Sequence, residues 1–368
     1  MTDIDAPSPG RASRVARTVV LLVIYVAAAG FAVSEFIKYP GVSNIRPGLG
    51  GEAFFGDMIY GRAFKPYVTR VLVPWMVRLA VLVTPPAIKA PIERNLRQAT
   101  RDGRPEWLFQ YPFEFWLTRH LLLIFAVGFA FALRRLGRLS LGRSGVETDV
   151  IPVATLFCLP GLYGYASHLY DLPALCLFTL GLCLIAARRY VSFVLVFVLC
   201  TLNKETALLL TLVWLIFERR SLKPRQLVVG VATQVVLWAL IRGGLAWLYR
   251  ANPGEMMAVH LFRNFQTLAV PIHWFEFRPI GDWLIVPYRY NALYVLGFAW
   301  ALVALRRAPQ FLKDAFWIAV PVTVLTWLYG NVDEMRVYYE LLPIVVLVLA
   351  GSLYRLLGYT PRQAAASA

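Results

Sequence analysis

The chain has 368 residues, of which 59% are hydrophobic and only 16% are charged. Soluble domains carry about 25% charged residues, so the composition excludes an ordinary soluble protein and predicts an all-α, polytopic protein with a single transmembrane domain. The net charge of +16 does not indicate nucleic-acid binding, because the Lys and Arg residues punctuate apolar runs and form no single basic face. The positions of these residues instead indicate which loops are cytoplasmic. Their charge also favours attraction to anionic lipids and phosphorylated substrates.

The N-terminal third begins with a polar tail, residues 1–17, followed by an apolar run, Thr18–Ile37. This run is too long for the core of a signal peptide and lacks a cleavage site of small residues. It is therefore predicted to be an uncleaved first span with a cytoplasmic N-terminus. Residues 38–113 then form the first extracytoplasmic loop.

That loop contains an apolar stretch, Val68–Thr84, which is predicted to be an interfacial amphipathic helix. Arg70, Pro74 and Arg78 recur every four residues and would share one helical face. Counting the stretch as a span would place the later basic loops outside, against the positive-inside bias. The loop also contains Lys89, Arg94, Arg97, Arg101 and Arg104, which weaken this charge argument without reversing it. A second surface helix is predicted near Ile88–Gln98.

The remaining chain predicts nine more membrane segments, which brings the total to ten with both termini inside. A second extracytoplasmic loop is predicted over residues 242–288. The predicted segments are Glu114–Leu133, Val150–Tyr165, Leu172–Ala187, Tyr190–Leu202, Ala207–Phe217, Gln226–Ile241, Tyr290–Leu305, Lys313–Tyr329 and Tyr339–Leu357.

Two of these segments form a short hairpin with Lys204 and Glu205 at its tip and basic residues outside both ends. Each arm has about 12 residues and reaches roughly 18–20 Å at 1.5 Å per residue. A bilayer core is about 30 Å thick, so the tip is predicted to stop inside the membrane. Ionisable groups at that depth mark a functional site by default. The alternative is a Lys204–Glu205 ion pair that only holds two helices together.

Several other ionisable residues fall on the same predicted outer side, which favours a site for an anionic, lipid-borne substrate. Arg336 is a candidate phosphate ligand. Asp171 and Glu334 are candidate substrate contacts, with the alternative that each carboxylate only stabilises a helix N-terminus. His260 lies in the aromatic-rich second loop with no third ligand at metal spacing, so a surface or packing role stands beside its candidate contact with substrate.

Asp57 is the candidate general base, with Arg62 in the same polar turn, Gly56–Arg62, as a candidate substrate contact. A carboxylate near a low-dielectric surface can have its pKa raised towards the value that a general base needs. The alternative is a solvated aspartate in a turn.

The order of these parts resembles the GT-C superfamily of integral membrane glycosyltransferases. Asp57 matches the catalytic carboxylate that those enzymes place in the first outer loop, and Glu52 is the second choice. The sequences Asn203–Thr206 and Glu334–Arg336 are similar to charged motifs of bacterial members. Asp57 is not followed by a second acidic residue, as it is in several branches, so no cofactor is predicted and use of a divalent metal stays open.

The resemblance implies transfer of a sugar from a polyprenyl-phosphate donor to a glycan or lipid acceptor, outside the cytoplasmic membrane of a bacterium and in assembly of its cell envelope. Asp57 would accept the proton of the acceptor hydroxyl. Lys204 and Arg336 would balance the charge of the lipid phosphate, and Glu205 would orient Lys204. The alternatives are an O-antigen ligase or polymerase that uses the second loop, and a flippase or transporter for lipid-linked sugars.

Overall fold

The structure is a computed structural model that describes residues 11–38, 55–99, 110–143, 145–163, 167–280 and 284–359. The described residues are mostly helical, with 77% of them in helices, in agreement with the predicted fold class. The α-helices are α1 (Arg11–Ile37), α2 (Phe55–Tyr60), α3 (Leu72–Val83), α4 (Pro86–Ala99), α5 (Pro112–Leu141), α6 (Val146–Leu162), α7 (Asp171–Ala186), α8 (Tyr190–Asn203), α9 (Leu209–Glu218), α10 (Pro224–Leu248), α11 (Leu261–Leu268), α12 (Ala292–Leu305), α13 (Gln310–Ala315), α14 (Ala319–Tyr329) and α15 (Leu342–Leu356).

Within the described ranges, four helical stretches are long and apolar enough to cross a bilayer, which supports a membrane protein. They are Val15–Ile37 of α1, all of α5, all of α10, and Gln310–Tyr329, in which α13 and α14 are joined by a 3₁₀ turn. The pair α3 and α4, bent by 116°, provides a fifth span if it counts as one. The predicted total of ten exceeds this number, because α7, α8, α12 and α15 are apolar but only 14–16 residues long.

The first loop contains a helix at each of the two positions where a surface helix was predicted, with one correction. The second is confirmed as α4, and the bend before it follows from Pro85–Pro86, since a residue that precedes proline is disfavoured in a helix. The first, α3, begins only at Leu72. Arg70 therefore lies before the helix, where its side chain is buried, and it does not share a polar helical face with Arg78 as predicted.

The second loop begins later than residue 242 and is not entirely helical. The α10 helix continues to Leu248, because its last turns contain no proline to interrupt the helix. Farther along, two short antiparallel strands, β1 (Phe277–Ile280) and β2 (Leu284–Pro287), pair with Arg278 opposite Val286. This strand pair is a departure from the all-α prediction.

The bundle has two chemically different ends. At the first end, here called the basic end, the Asp149 carboxylate forms ion pairs with Arg17 and Arg134, both at 2.5 Å, and with Arg138 at 3.3 Å. At the opposite end of α1, the Ser167 hydroxyl donates to the carbonyl of Phe36 at 2.9 Å. Ser167 comes just before α7, so α7 begins at the end away from these arginines.

The core is built around the contact between α5 and α7. A Cβ added to Gly128 of α5 would lie 2.9 Å from the sulfur of Cys176 on α7, so glycine permits this close approach. Cys176, Cys183 and Cys200 are buried and unpaired, as expected of packing residues, whereas the free thiol of Cys158 is exposed.

The helix α10 offers a direct test of orientation. We expect a single cysteine at Glu255, after α10, to react with a membrane-impermeant maleimide applied from outside, and a cysteine at Lys223, before α10, to stay unlabelled until the membrane is opened. Both native residues are exposed, so burial will not mask the thiols. The experiment needs a background in which the four native cysteines are replaced. Labelling at Lys223 with protection at Glu255 would invert the assigned topology.

Candidate functional site

Glu205 lies at the tip of the short hairpin, where α8 ends and a 3₁₀ turn, Glu205–Leu208, leads into α9. Its carboxylate binds Nη2 of Arg70 at 2.6 Å and Nη2 of Arg242 at 3.3 Å. The two arginine side chains are 9% and 8% exposed, whereas the Glu205 side chain is 36% exposed. The carboxylate is therefore held on one side by two buried cations and open to its surroundings on the other.

The backbone fixes both arginines in place. Arg70 follows a 3₁₀ turn, Tyr67–Thr69, and the next amide, that of Val71, donates to the carbonyl of Leu202 at 3.0 Å. Arg242 donates to the backbone oxygen of Thr69 at 3.1 Å and to its hydroxyl at 2.9 Å. The first loop, the hairpin and α10 thus meet at this carboxylate.

Lys204 has a different partner from the one predicted. Its ammonium binds Oε1 of Glu340 at 2.8 Å, and the Thr206 hydroxyl donates to the same oxygen. Lys204 adopts extended backbone angles (φ −158°, ψ 144°) that end α8, which separates its side chain from the carboxylate of Glu205. The alternative of a Lys204–Glu205 ion pair is therefore wrong, and Glu205 does not orient the lysine through direct contact.

Arg336 forms the third group of ion pairs. Its guanidinium is 10% exposed and binds Glu334, and it lies 3.6 Å from Oδ1 of Asp171. It also donates to the Tyr170 hydroxyl at 3.2 Å. Asp171 accepts the backbone amide of His168 at 2.8 Å. Both carboxylates thus hold an arginine, a contact that the helix-terminus alternative did not include.

Tyr170 connects the groups. The Arg70 guanidinium lies 4.1 Å from the centre of the Tyr170 ring, and Asn203 donates to the Tyr170 carbonyl at 2.9 Å. We call the connected ionisable residues the charged cluster; it contains four cations and four carboxylates, so its formal charge is zero. Its members are Arg70, Lys204, Arg242, Arg336, Asp171, Glu205, Glu334 and Glu340.

His168 packs against the cluster between two tyrosines, with ring centres 5.2 Å from both Tyr67 and Tyr170. Burial, together with the cations of Arg336, Arg70 and Lys204, lowers the pKa of His168 well below its ordinary value. The imidazole is therefore neutral at physiological pH and adds no further positive charge.

A small cavity of about 10 Å³ with a mainly apolar lining lies beside Lys204. It is lined by Asn203 and Glu340, whose Oδ1 and Oε2 atoms are buried without a hydrogen-bond partner. One water molecule has about this volume and would satisfy both acceptors. No group of three or more His, Cys, Asp or Glu residues within the described ranges is arranged to hold a metal ion.

Asp57 and Arg62 form a separate pair in the first loop. Nε of Arg62 lies 3.1 Å from Oδ1 of Asp57, and its Nη2 donates to the Tyr111 hydroxyl at 2.7 Å. The Asp57 side chain is 33% exposed and that of Arg62 is 58% exposed. Neither contact joins this pair to the charged cluster. Glu52, the second choice for the base, lies outside the described residues.

His260 lies away from the ion pairs described above, at the start of α11. Its backbone amide donates to the carbonyl of Leu328 at 2.8 Å. Its neighbour Asn264 is the buried anchor of this region: the side-chain amide donates to the carbonyls of Trp327 and Gly330, and its oxygen accepts the amide of Val332. This anchor fixes the segment that carries Glu334 and Arg336.

Three residues of the cluster were not among the predicted site residues: Arg70, Arg242 and Glu340. Glu340 carried a usable signal, because a carboxylate inside the predicted last span, Tyr339–Leu357, needs a partner. Arg70 and Arg242 carried weaker signals, since one was read as part of a surface helix and the other as the start of a loop.

No protein-family model matches this chain, and no curated protein matches it.

The pair of Lys204 and Glu340 gives a stability prediction. Replacing Lys204 with Met leaves a carboxylate that is 2% exposed without its cation, which should destabilise the fold by roughly 3–5 kcal/mol. The double change Lys204→Met with Glu340→Leu should recover most of this loss. The measurement is equilibrium unfolding in mixed detergent micelles, with the exposed Lys223→Met as the matched control. A double variant as unstable as the single one would argue against the pair.

Proposed function

We propose that this protein is a GT-C-like glycosyltransferase that transfers a sugar from a polyprenyl-phosphate donor to a hydroxyl of a glycan or lipid acceptor. The observation that carries the proposal is the charged cluster, in which eight ionisable side chains meet at one end of an apolar helical bundle. Charged groups in such surroundings are costly and mark pathways for polar substrates. No cofactor is part of the proposal.

The proposed location is the outer face of a bacterial cytoplasmic membrane, in assembly of cell-envelope glycans. The support is the distribution of charge between the two ends of the bundle. Arg17, Arg134 and Arg138 share one carboxylate at the basic end, and an excess of Arg and Lys is typical of the cytoplasmic side. The charged cluster would then face outwards, where membrane lipids can deliver the donor.

In the proposed reaction, the oxygen of the acceptor hydroxyl forms a bond to the anomeric carbon of the sugar while the bond from that carbon to the phosphate oxygen breaks. Asp57 accepts the hydroxyl proton as general base. The leaving polyprenyl phosphate keeps the electron pair of the broken bond. Partial exposure of Asp57, which is 33% accessible, supports this role because an acceptor can reach it.

The cations divide into two kinds under this proposal. Arg62 is 58% exposed next to Asp57, so it is suited to direct contact with the donor phosphate as it leaves. Lys204 and Arg336 are 12% and 10% exposed and are already neutralised by carboxylates. They would act as fixed charges whose orientation needs no rearrangement during the reaction. Asp171 and Glu334 hold Arg336, and Glu205 holds Arg70 and Arg242. His260 is a candidate contact for the acceptor.

The role of Asp57 can be tested with purified protein and a panel of polyprenyl-phosphate sugars. We expect Asp57→Asn to reduce turnover by about 10²–10⁴-fold, the usual contribution of a general base, while donor binding and unfolding stay close to those of the wild type. The matched control is Glu255→Gln, which removes an exposed carboxylate from the second loop.

Two outcomes would contradict the proposal at different levels. Near-wild-type turnover of Asp57→Asn would exclude Asp57 as the general base and leave Glu52 as the next candidate. Absence of sugar transfer by the wild-type protein with every donor of the panel, in a preparation that binds those donors, would contradict the glycosyltransferase assignment itself and favour a transporter of lipid-linked sugars.

A further inference from the structure

The segment between α10 and α12 exposes a dense set of large apolar side chains, here called the aromatic patch. Phe262, Ile272 and Phe275 have exposed fractions of 82%, 72% and 73%. Large contiguous apolar surfaces are rare on proteins that face water, and they mark contact with a membrane or a partner. The members of the patch are Met257, Val259, Phe262, Phe265, Ile272 and Phe275.

The helix α11 is firmly held with its apolar side turned outwards. Asn264, 1% exposed, faces inwards and bonds to the end of α14. Phe262 and Phe265 are three residues apart and so share one face of the helix, on which Phe262 lies nearly opposite Asn264. Because Asn264 fixes the rotation of α11, exposure of the phenylalanines is a consequence of the fold and not of a loose loop.

The surface that adjoins the patch identifies what covers it. The ring of Phe265 lies 5.1 Å from that of Trp327 on α14. This helix belongs to a stretch able to cross a bilayer, Gln310–Tyr329, and its outward Val320 and Val324 are 56% and 50% exposed. Such side chains contact lipid in a spanning helix. The aromatic patch therefore continues a lipid-facing surface at the end of the bundle that carries the charged cluster.

We propose that residues 256–277 lie in the interfacial layer of the bilayer, with the aromatic patch inserted among lipid acyl chains. The exposed Arg263 on α11 lies about 100° around the helix from Phe262, a position that lets it reach the headgroups while the phenylalanines point into the hydrocarbon. Phenylalanine on one face and Arg on the other is the pattern of helices that lie in a membrane surface. The proposal holds whether or not the protein transfers sugars.

Spin labelling of the full-length protein in liposomes tests this placement. A nitroxide is attached to a single cysteine at Phe262 or Ile272 in a background without native cysteines. Collision with oxygen, which concentrates in the acyl region, is compared with collision with a water-soluble nickel chelate. We expect both positions to favour oxygen. The matched control is the exposed Glu255, just before the patch, which should favour the nickel reagent.

The two reagents separate this placement from its rivals. Access of the nickel chelate to Phe262 and Ile272 equal to its access to Glu255 would mean that the patch faces water. Protection from both reagents would mean that protein covers it, either a second copy or another partner. Each of these results would overturn the membrane placement. Phe262 and Ile272 are largely exposed, so the cysteine substitutions do not remove core packing.

Discussion

The structure depends on the cost of placing Lys204 and Glu205 at the tip of a hairpin whose arms are too short to cross a bilayer. An isolated charge in such a position is strongly unfavourable, so each residue needs a partner from elsewhere in the chain. Glu205 finds Arg70 and Arg242, and Lys204 finds Glu340. These contacts draw the first loop, α10 and the start of α15 to one point. The helices are therefore arranged around the hairpin so that both charged residues have partners.

Neutrality of the charged cluster bears on how it could serve a phosphorylated substrate. Four cations and four carboxylates balance, so the cluster is no permanently positive pocket that would retain a leaving phosphate. Opposite charges held close together still produce a strong local field in an apolar environment. A site of this kind orients a polar group without trapping it, and product release stays feasible. Under the proposed function, the groups that touch substrate would come from the separate pair of Asp57 and Arg62, whose side chains are 33% and 58% exposed.

The sequence predicted the position of the hairpin tip, because apolar periodicity and basic flanks are local signals. Of the residues that it placed on one side, Asp171, Lys204, Glu205, Glu334 and Arg336 belong to the charged cluster, whereas Asp57 forms a separate pair. The sequence failed for the partners. Whether Lys204 binds Glu205 or Glu340 depends on the extended backbone at residue 204 and on contacts 136 residues apart, and no local pattern encodes either. Arg70 was misplaced for a related reason: a four-residue spacing suggested a helical face, but α3 begins two residues later. Lys204 and Glu205 were noticed because they interrupt apolar runs. The role of Asn264 could not be predicted, because its side chain bonds to backbone groups, which every sequence has.

The three ion pairs at the hairpin tip form in a definite order during biosynthesis. Arg70 precedes Glu205 by 135 residues, so its guanidinium is already available when the glutamate emerges from the ribosome. Glu340 follows Lys204 by 136 residues, which takes roughly 7–27 s at the usual rate of chain elongation. Throughout that interval the ammonium lacks its carboxylate. The charge of Lys204 is therefore not neutralised until the segment that carries Glu340 is made. The interior of the bundle is complete only when that segment has joined it.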